Sequence, residues 1–128
     1  MSLLQIPELN KIRVFEPTSI LRVEAQSNYC KIHFADQHQT LVVSKVLMWV
    51  QERLPPDMFV RVHRSHLVNK NYVQEITISG NIIMQNTAVA SVSRRFKKQA
   101  MLSLGLQIIN VNDGKTKSLD RSNILLAS

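Results

Sequence analysis

The sequence predicts a mostly β domain of small antiparallel sheets carrying two short helices. Three observations predict it. Apolar residues recur at period two in short runs, as in Cys30, Ile32 and Phe34 or Val60 and Val62, the spacing of half-buried strands. Turn formers punctuate those runs, most clearly at Ser79-Gly80-Asn81. Helical spacing occurs in only two stretches, one around Leu47, Val50 and Leu54, the other around Phe96, Ala100, Met101 and Leu104.

Taken in order, residues 11–34 read as strands through Ile12 and Val14, then Ile20, Leu21 and Val23, then Cys30, Ile32 and Phe34. The polar stretch Glu24 to Tyr29 interrupts them as a loop or bulge. Asp36 to Gln39 reads as a hairpin connection into Thr40–Val43. Ser44 is the expected N-cap of the first helix, which Pro55-Pro56 ends because neither residue can continue it. A strand resumes over Met58–Val62, with Val60 and Val62 facing a core and Arg61 and His63 facing outward. Asn71–Ile78, Ile82–Met84 and Ala88–Val92 read as further strands. Ser93 is the expected N-cap of the second helix, which runs to about Leu104. Phe34, Trp49, Phe59 and Phe96 are assigned to the core. Residues 1–9 are expected to be an N-terminal extension, 10–105 one domain, and 106–128 a C-terminal tail expected to be flexible, since from Asn110 the sequence turns polar and loses periodicity.

At 128 residues the chain supports one modest core. No apolar run is long enough to span a bilayer, and no charged leader precedes an apolar stretch, so neither a membrane anchor nor a signal peptide is expected. The single cysteine, Cys30, leaves no internal disulfide and fits a reducing cytoplasm. The net charge of +7 is unevenly spread. Residues 1–60 are neutral. Residues 61–98 hold Arg61, Arg64, Lys70, Arg94, Arg95, Lys97 and Lys98 against Glu75 alone. A concentrated basic surface attracts polyanions through its field and through counterion release, which makes nucleic acid the leading partner class. The bland alternative is a pair of solvated basic faces that confer solubility.

Three polar or basic connections stand at the edges of apolar elements: Ser27–Lys31, His63–His66 and Ser93–Lys98. The last places Arg94, Arg95, Lys97 and Lys98 at the start of a helix, where each cation opposes the macrodipole by a few tenths of a kcal/mol up to ~1. A phosphate partner explains that placement better than stability does. Arginine offers a planar fork to guanine edges or phosphates, and lysine a point charge to phosphate. No single helix carries these groups, so readout from loops is expected. Other chemistry is poorly served. His63 and His66 have an H-x-x-H spacing, but no cysteine or carboxylate lies close by, so no metal or other cofactor is expected. Cys30 shares a strand face with Ile32 and Phe34, the position of a core thiol rather than a nucleophile. No glycine-rich phosphate loop and no paired carboxylates occur. An RNA or single-strand binder is the first alternative, weakened because few aromatics remain for stacking. A metal- or thiol-dependent enzyme using His63, His66 and Cys30 is the second.

Read together, Ile20–Tyr29, Phe59–Asn69 and Val92–Lys98 resemble the LytTR DNA-binding domain of the LytR/AgrA family of transcription regulators. The match in order and spacing covers roughly residues 10–104. The resemblance implies an elongated arrangement of small antiparallel sheets whose loops enter successive major grooves of double-stranded DNA. It further implies two protomers on direct repeats. Carried over by position, the loop at Asn28, Tyr29, Cys30 and Lys31 contacts bases, Cys30 standing at a base-reading position. Arg64 falls at a second contact position and Arg94 at a third. His63, Ser65 and Asn69 belong to the signature, with Asn69 expected to be structural. Arg95, Lys97 and Lys98 are expected on phosphates. Many members carry a receiver domain, for which this length leaves no room, so a stand-alone regulator or the output part of a larger one is implied.

Overall fold

The computed structural model describes residues 2–36, 40–108 and 124–126. The chain opens with a hairpin, β1 (Leu4–Glu8) and β2 (Lys11–Phe15), in antiparallel register from Leu4 opposite Phe15 to Glu8 opposite Lys11. Pro7 is tolerated because β1 pairs on one side only. Leu4 and Ile6 are buried in the core, so part of the expected N-terminal extension packs with the domain. A 3-10 turn over Pro17–Ser19 leads into β3 (Ile20–Gln26), followed by β4 (Tyr29–Phe34) and β5 (Thr40–Val43). The expected connection at Asp36–Gln39 falls largely outside the described residues.

Helix α1 (Leu47–Gln51) starts after Val46, which supplies no side-chain cap. Ser44 is not the N-cap. It is exposed in a bend closed by the Lys45 amide donating to the Val43 carbonyl, so the helix begins later than the serine predicts. Then come β6 (Phe59–His63) and β7 (His66–Asn69), a 3-10 turn over Lys70–Tyr72, and a meander of β8 (Val73–Ile76), β9 (Asn81–Met84) and β10 (Val89–Ser91). The second helix is divided. Arg94–Phe96 form a 3-10 turn and α2 occupies Lys97–Ser103. Ser93 precedes that turn but makes no capping bond, and its hydroxyl is buried without a partner. In the expected tail, β11 (Leu106–Ile108) pairs antiparallel with β12 (Ile124–Leu126); the rest lies outside the described residues.

A five-stranded antiparallel sheet, in the order β5-β4-β3-β7-β6, organises the molecule. Apolar residues cover both of its faces. On one face Val23, Cys30, Ile32, Phe59 and Leu67 meet Leu4 and Ile6 of the first hairpin and Leu47, Val50 and Leu54 around α1. On the other, Leu21, Val60, Val62 and Val68 meet Ile76, Ile82, Met84 and Ala90 of the meander and Ala100 and Met101 of α2. Each fully buried branched side chain contributes about 1.5–3 kcal/mol. The fold is mostly β, with small antiparallel sheets and two short helices, as the sequence predicts. Among the described residues no helix is long and apolar enough to cross a membrane.

Candidate nucleic-acid interface

Strand β3 lies between β4 and β7 and is antiparallel to both. Its C-terminal end therefore turns into β4 beside the turn that joins β6 to β7. Gln26 faces Tyr29 across a two-residue turn, Ser27-Asn28, in which Ser27 adopts φ 58°. A positive φ at the first turn residue matches the twist of flanking strands. The Tyr29 hydroxyl donates to Gln26 Oε1 at 2.9 Å, which braces the turn. The neighbouring turn is Arg64-Ser65, between the opposed residues His63 and His66. The Ser65 amide donates to His63 Nδ1 at 3.0 Å, and the Ala25 amide donates to the Ser65 carbonyl at 2.9 Å. That second bond holds the two turns side by side.

The third basic segment joins them through β6. The Ser93 amide donates to the Val62 carbonyl at 2.9 Å, which sets Arg94–Lys98 beside the His63-Arg64 turn. Arg61 is the tie between them. Its Nε donates to the His63 carbonyl at 2.9 Å, its Nη2 to the Arg64 carbonyl, and its Nη1 to Gln51 Oε1 of α1 at 2.8 Å. Its guanidinium also stands 5.7 Å from the Phe96 ring centroid, and Arg95 stacks on the same ring at 5.4 Å. Arg61 is thus not an outward-facing contact, as the alternation predicts, but a half-buried fork tying together three parts of the chain. Phe96 is not a core residue; it is half-buried beneath two cations.

The eleven residues singled out in the sequence sort by exposure. Asn28, Arg64, Arg94, Arg95, Lys97 and Lys98 are exposed, and Tyr29, Lys31, His63 and Ser65 are half-buried. All ten belong to the three converging segments. Cys30 does not join them. Its side chain is fully buried in the core beneath the β4–β5 pair, and burial pushes its thiol up from the ordinary value against the pull of Arg61. The base contact expected at Cys30 is therefore corrected: strand alternation turns the thiol inward while its neighbours Tyr29 and Lys31 take the other face. Asn69 is structural. It is fully buried, donates from Nδ2 to the Ile20 carbonyl at 2.9 Å, and accepts at Oδ1 from the Asn71 amide at 2.9 Å.

Two features went unread in the sequence. Lys45 follows β5, whose Val43 pairs with Cys30 at the start of β4, so Lys45 stands at the same sheet end. A cation after a strand of unknown partner gives no signal in sequence. The second is a polar cluster on the sheet face next to the turns. Arg22 and Glu24 of β3 lie beside His33 of β4 and His66 of β7, with Glu24 Oε1 3.1 Å from His33 Nε2 and 3.9 Å from Arg22 Nη1. Arg22 Nε and His66 Nδ1 are buried without partners. Burial, reinforced by Arg22, holds His33 below the usual histidine range although Glu24 pulls it up. Burial and the His63 charge hold His66 down likewise. Burial would raise Glu24, but the His33 hydrogen bond and the Arg22 charge outweigh it and lower the carboxyl. Among the described residues no group of three or more His, Cys, Asp or Glu is placed to hold a metal ion.

The sign of the pH response follows. Unfolded histidine titrates near ~6.5. Because His33 and His66 lie lower when folded, the unfolded chain binds more protons as pH falls through that region, and stability drops. Glu24, also depressed, adds to the loss at still lower pH. The urea midpoint is expected to be lower at mildly acidic than at mildly alkaline pH, and the dependence should flatten in His33→Gln/His66→Gln. An acid midpoint equal to or above the alkaline one contradicts this account.

Comparison with known proteins agrees with this fold. The family model described as the LytTr DNA-binding domain matches residues 10–105. The sensory transduction protein LytT of Enterococcus faecalis is 30% identical over 101 residues, covering 76% of this chain and 41% of that protein. LytT of Bacillus subtilis is 29% identical over 92 residues, covering 69% and 37%. The transcriptional regulatory protein LytR of Staphylococcus aureus is 26% identical over 102 residues, covering 76% and 40%. This chain thus spans about two fifths of the length of the relatives it matches. Among solved structures, the LytTr DNA-binding domain of a response regulator from Bacillus cereus superposes with a TM-score of 0.67 at 23% identity, over 82% of this chain and 98% of that one. The chain belongs to the LytTr DNA-binding domain family.

Proposed function

We propose that this chain binds double-stranded DNA sequence-specifically and regulates transcription as the output part of a response regulator. The two turns and the Arg94 segment enter major grooves, and two protomers occupy a direct repeat. One observation carries the reading. Three basic segments, separated by tens of residues in sequence, are hydrogen-bonded together at one end of one sheet. The Glu24 carboxylate beside the turns is already engaged by Arg22 and His33, and packing alone gives no reason to collect Arg64, Arg94, Arg95, Lys97 and Lys98 there. A polyanion does. Exposed arginine forks suit guanine edges, and the lysines at the start of α2 suit phosphates. The family membership supports the partner class, and the relatives' names, sensory transduction and transcriptional regulatory protein, support the regulatory context.

Selection from a random duplex library tests the reading. Two spaced copies of one motif in the same orientation are the expected product; a pool without enrichment overturns sequence-specific readout. On the selected site, Arg64→Ala and Arg94→Ala should each cost about 1–3 kcal/mol and flatten discrimination between sites. Lys97→Ala should weaken all duplexes alike and reduce the salt slope by about one. A mutant that binds as tightly as the parent removes its residue from the interface.

A further inference from the structure

Helix α1 carries a second cationic feature, outside the three segments. Lys45 Nζ stands 4.9 Å from the Trp49 ring centroid, and the Arg53 guanidinium stacks on the same ring at 3.9 Å. Arg53 Nη1 also donates to the Trp49 carbonyl at 2.9 Å, so the stack is anchored to the backbone. Lys45 precedes α1 and Arg53 follows it, and both cations meet on the Trp49 ring between them. The topology sets the direction of this segment. Lys45 stands at the sheet end where the basic turns converge, because Val43 pairs with Cys30. Strand β6 then begins at the opposite end, where Phe59 faces Asn69. Gln51, near the end of this segment, meets Arg61 beside the His63-Arg64 turn, so residues 45–51 run close to the basic end before the chain leads away to β6. The segment's cations are held on an aromatic ring, and Arg53 also pairs with Glu52 at the surface. The nearest carboxylate is Glu52, exposed and 3.9 Å from Arg53.

We propose that Lys45, Trp49 and Arg53 form a second DNA-facing ridge, continuous with the basic turns, that engages backbone phosphates flanking the site read by those turns. A cation over an indole face keeps its charge while losing rotamer freedom, which pre-organises it for phosphate. The ridge holds two cations on one ring beside the reading end. Its contribution is sequence-independent and grows with the length of duplex available. This inference rests on the DNA-binding reading above.

The test uses the full chain with two mixed-sequence duplexes, one several helical turns long and one a single turn, and measures Kd against salt. Lys45→Ala and Arg53→Ala should each lower the slope on the long duplex by about one and leave the short duplex nearly unchanged. Glu52→Gln should tighten the long duplex, since it removes the carboxylate that pairs with Arg53. Trp49 is the sole tryptophan, so its emission should shift when the long duplex binds the parent. That shift should vanish in Lys45→Ala/Arg53→Ala although the labelled duplex still binds. Equal slopes for parent and both variants, with unchanged Trp49 emission at saturation, overturn the ridge. Lys97→Ala on the same long duplex separates the two readings. A slope loss there alone leaves the reading end intact and removes the ridge, whereas failure of the parent to bind any duplex removes both.

Discussion

Arg61→Ala is expected to weaken DNA binding at least as much as loss of either exposed arginine, although Arg61 is half-buried and bonded within the chain itself. Its guanidinium donates to the His63 and Arg64 carbonyls and to Gln51, and stands over Phe96. Hydrogen bonds to a charged group contribute about 1.5–3 kcal/mol. Losing the fork releases the Arg64 turn from α1 and from the Arg94–Phe96 turn at once, so two contact segments lose their fixed spacing. The free energy that pre-organisation saves must then be spent on binding. Stability should fall by about 1–3 kcal/mol and affinity for a selected site by about 1–3 kcal/mol. The salt slope should fall little, because Arg61 is not itself expected on phosphate. That combination distinguishes positioning from contact: a phosphate contact lowers the slope by about one. Arg61→Lys should rescue stability in part and discrimination hardly at all, since an ammonium cannot span two carbonyls and an amide in one plane. Full discrimination in Arg61→Lys refutes the fork.

The alternation that placed Val60 and Val62 in a core was legible because period two needs no knowledge of partners. The same alternation put Arg61 on the other face correctly, but could not say that α1 and Phe96 cover that face. Such coverage depends on the strand order β5-β4-β3-β7-β6, which places β7 next to β3 across more than thirty residues of chain. Convergence of the three segments was therefore an expectation from resemblance, and its geometry appears only with that order. Cys30 shows the two sources in conflict. Its shared face with Ile32 and Phe34 pointed inward, while its aligned position implied a base contact; burial follows the local pattern. Leu4 and Ile6 escaped notice because Pro7 breaks the run and the pairing strand β2 is itself solvent-exposed, with Ile12 60% and Val14 53% accessible. Ser44 and Ser93 misled as caps because a helix start also depends on how the incoming strand ends. In both cases the chain makes another turn before the α-helix begins.

Asn69→Asp is expected to be the most destabilising change of a single atom type in this chain, and to reverse the sign of its pH response. Asn69 is fully buried and uses both ends of its amide: Nδ2 donates to the Ile20 carbonyl and Oδ1 accepts from the Asn71 amide. The carboxylate keeps the second bond and converts the first into two facing acceptors. It also buries a charge for which no cation within the described contacts stands ready. An unsatisfied buried carbonyl costs about 1–3 kcal/mol, and desolvating the charge adds to it, so a loss above ~3 kcal/mol is expected at neutral pH. Burial raises the introduced carboxyl above its unfolded value of ~3.9. The folded state then holds its proton where the unfolded state has lost it, and the variant gains stability as pH falls toward that value. The parent does the opposite, because His33, His66 and Glu24 are all depressed. Protonated, the new side chain can donate to Ile20 again, which is why acid should restore it. Asn69→Ala serves as the control: it removes the donor without adding a charge, and should lose about 1–3 kcal/mol with the parent's pH dependence. Urea midpoints for the three proteins across mildly acidic to neutral pH decide the matter, and parallel curves for Asn69→Asp and parent would show that the buried amide does not hold β7 to β3 in this way.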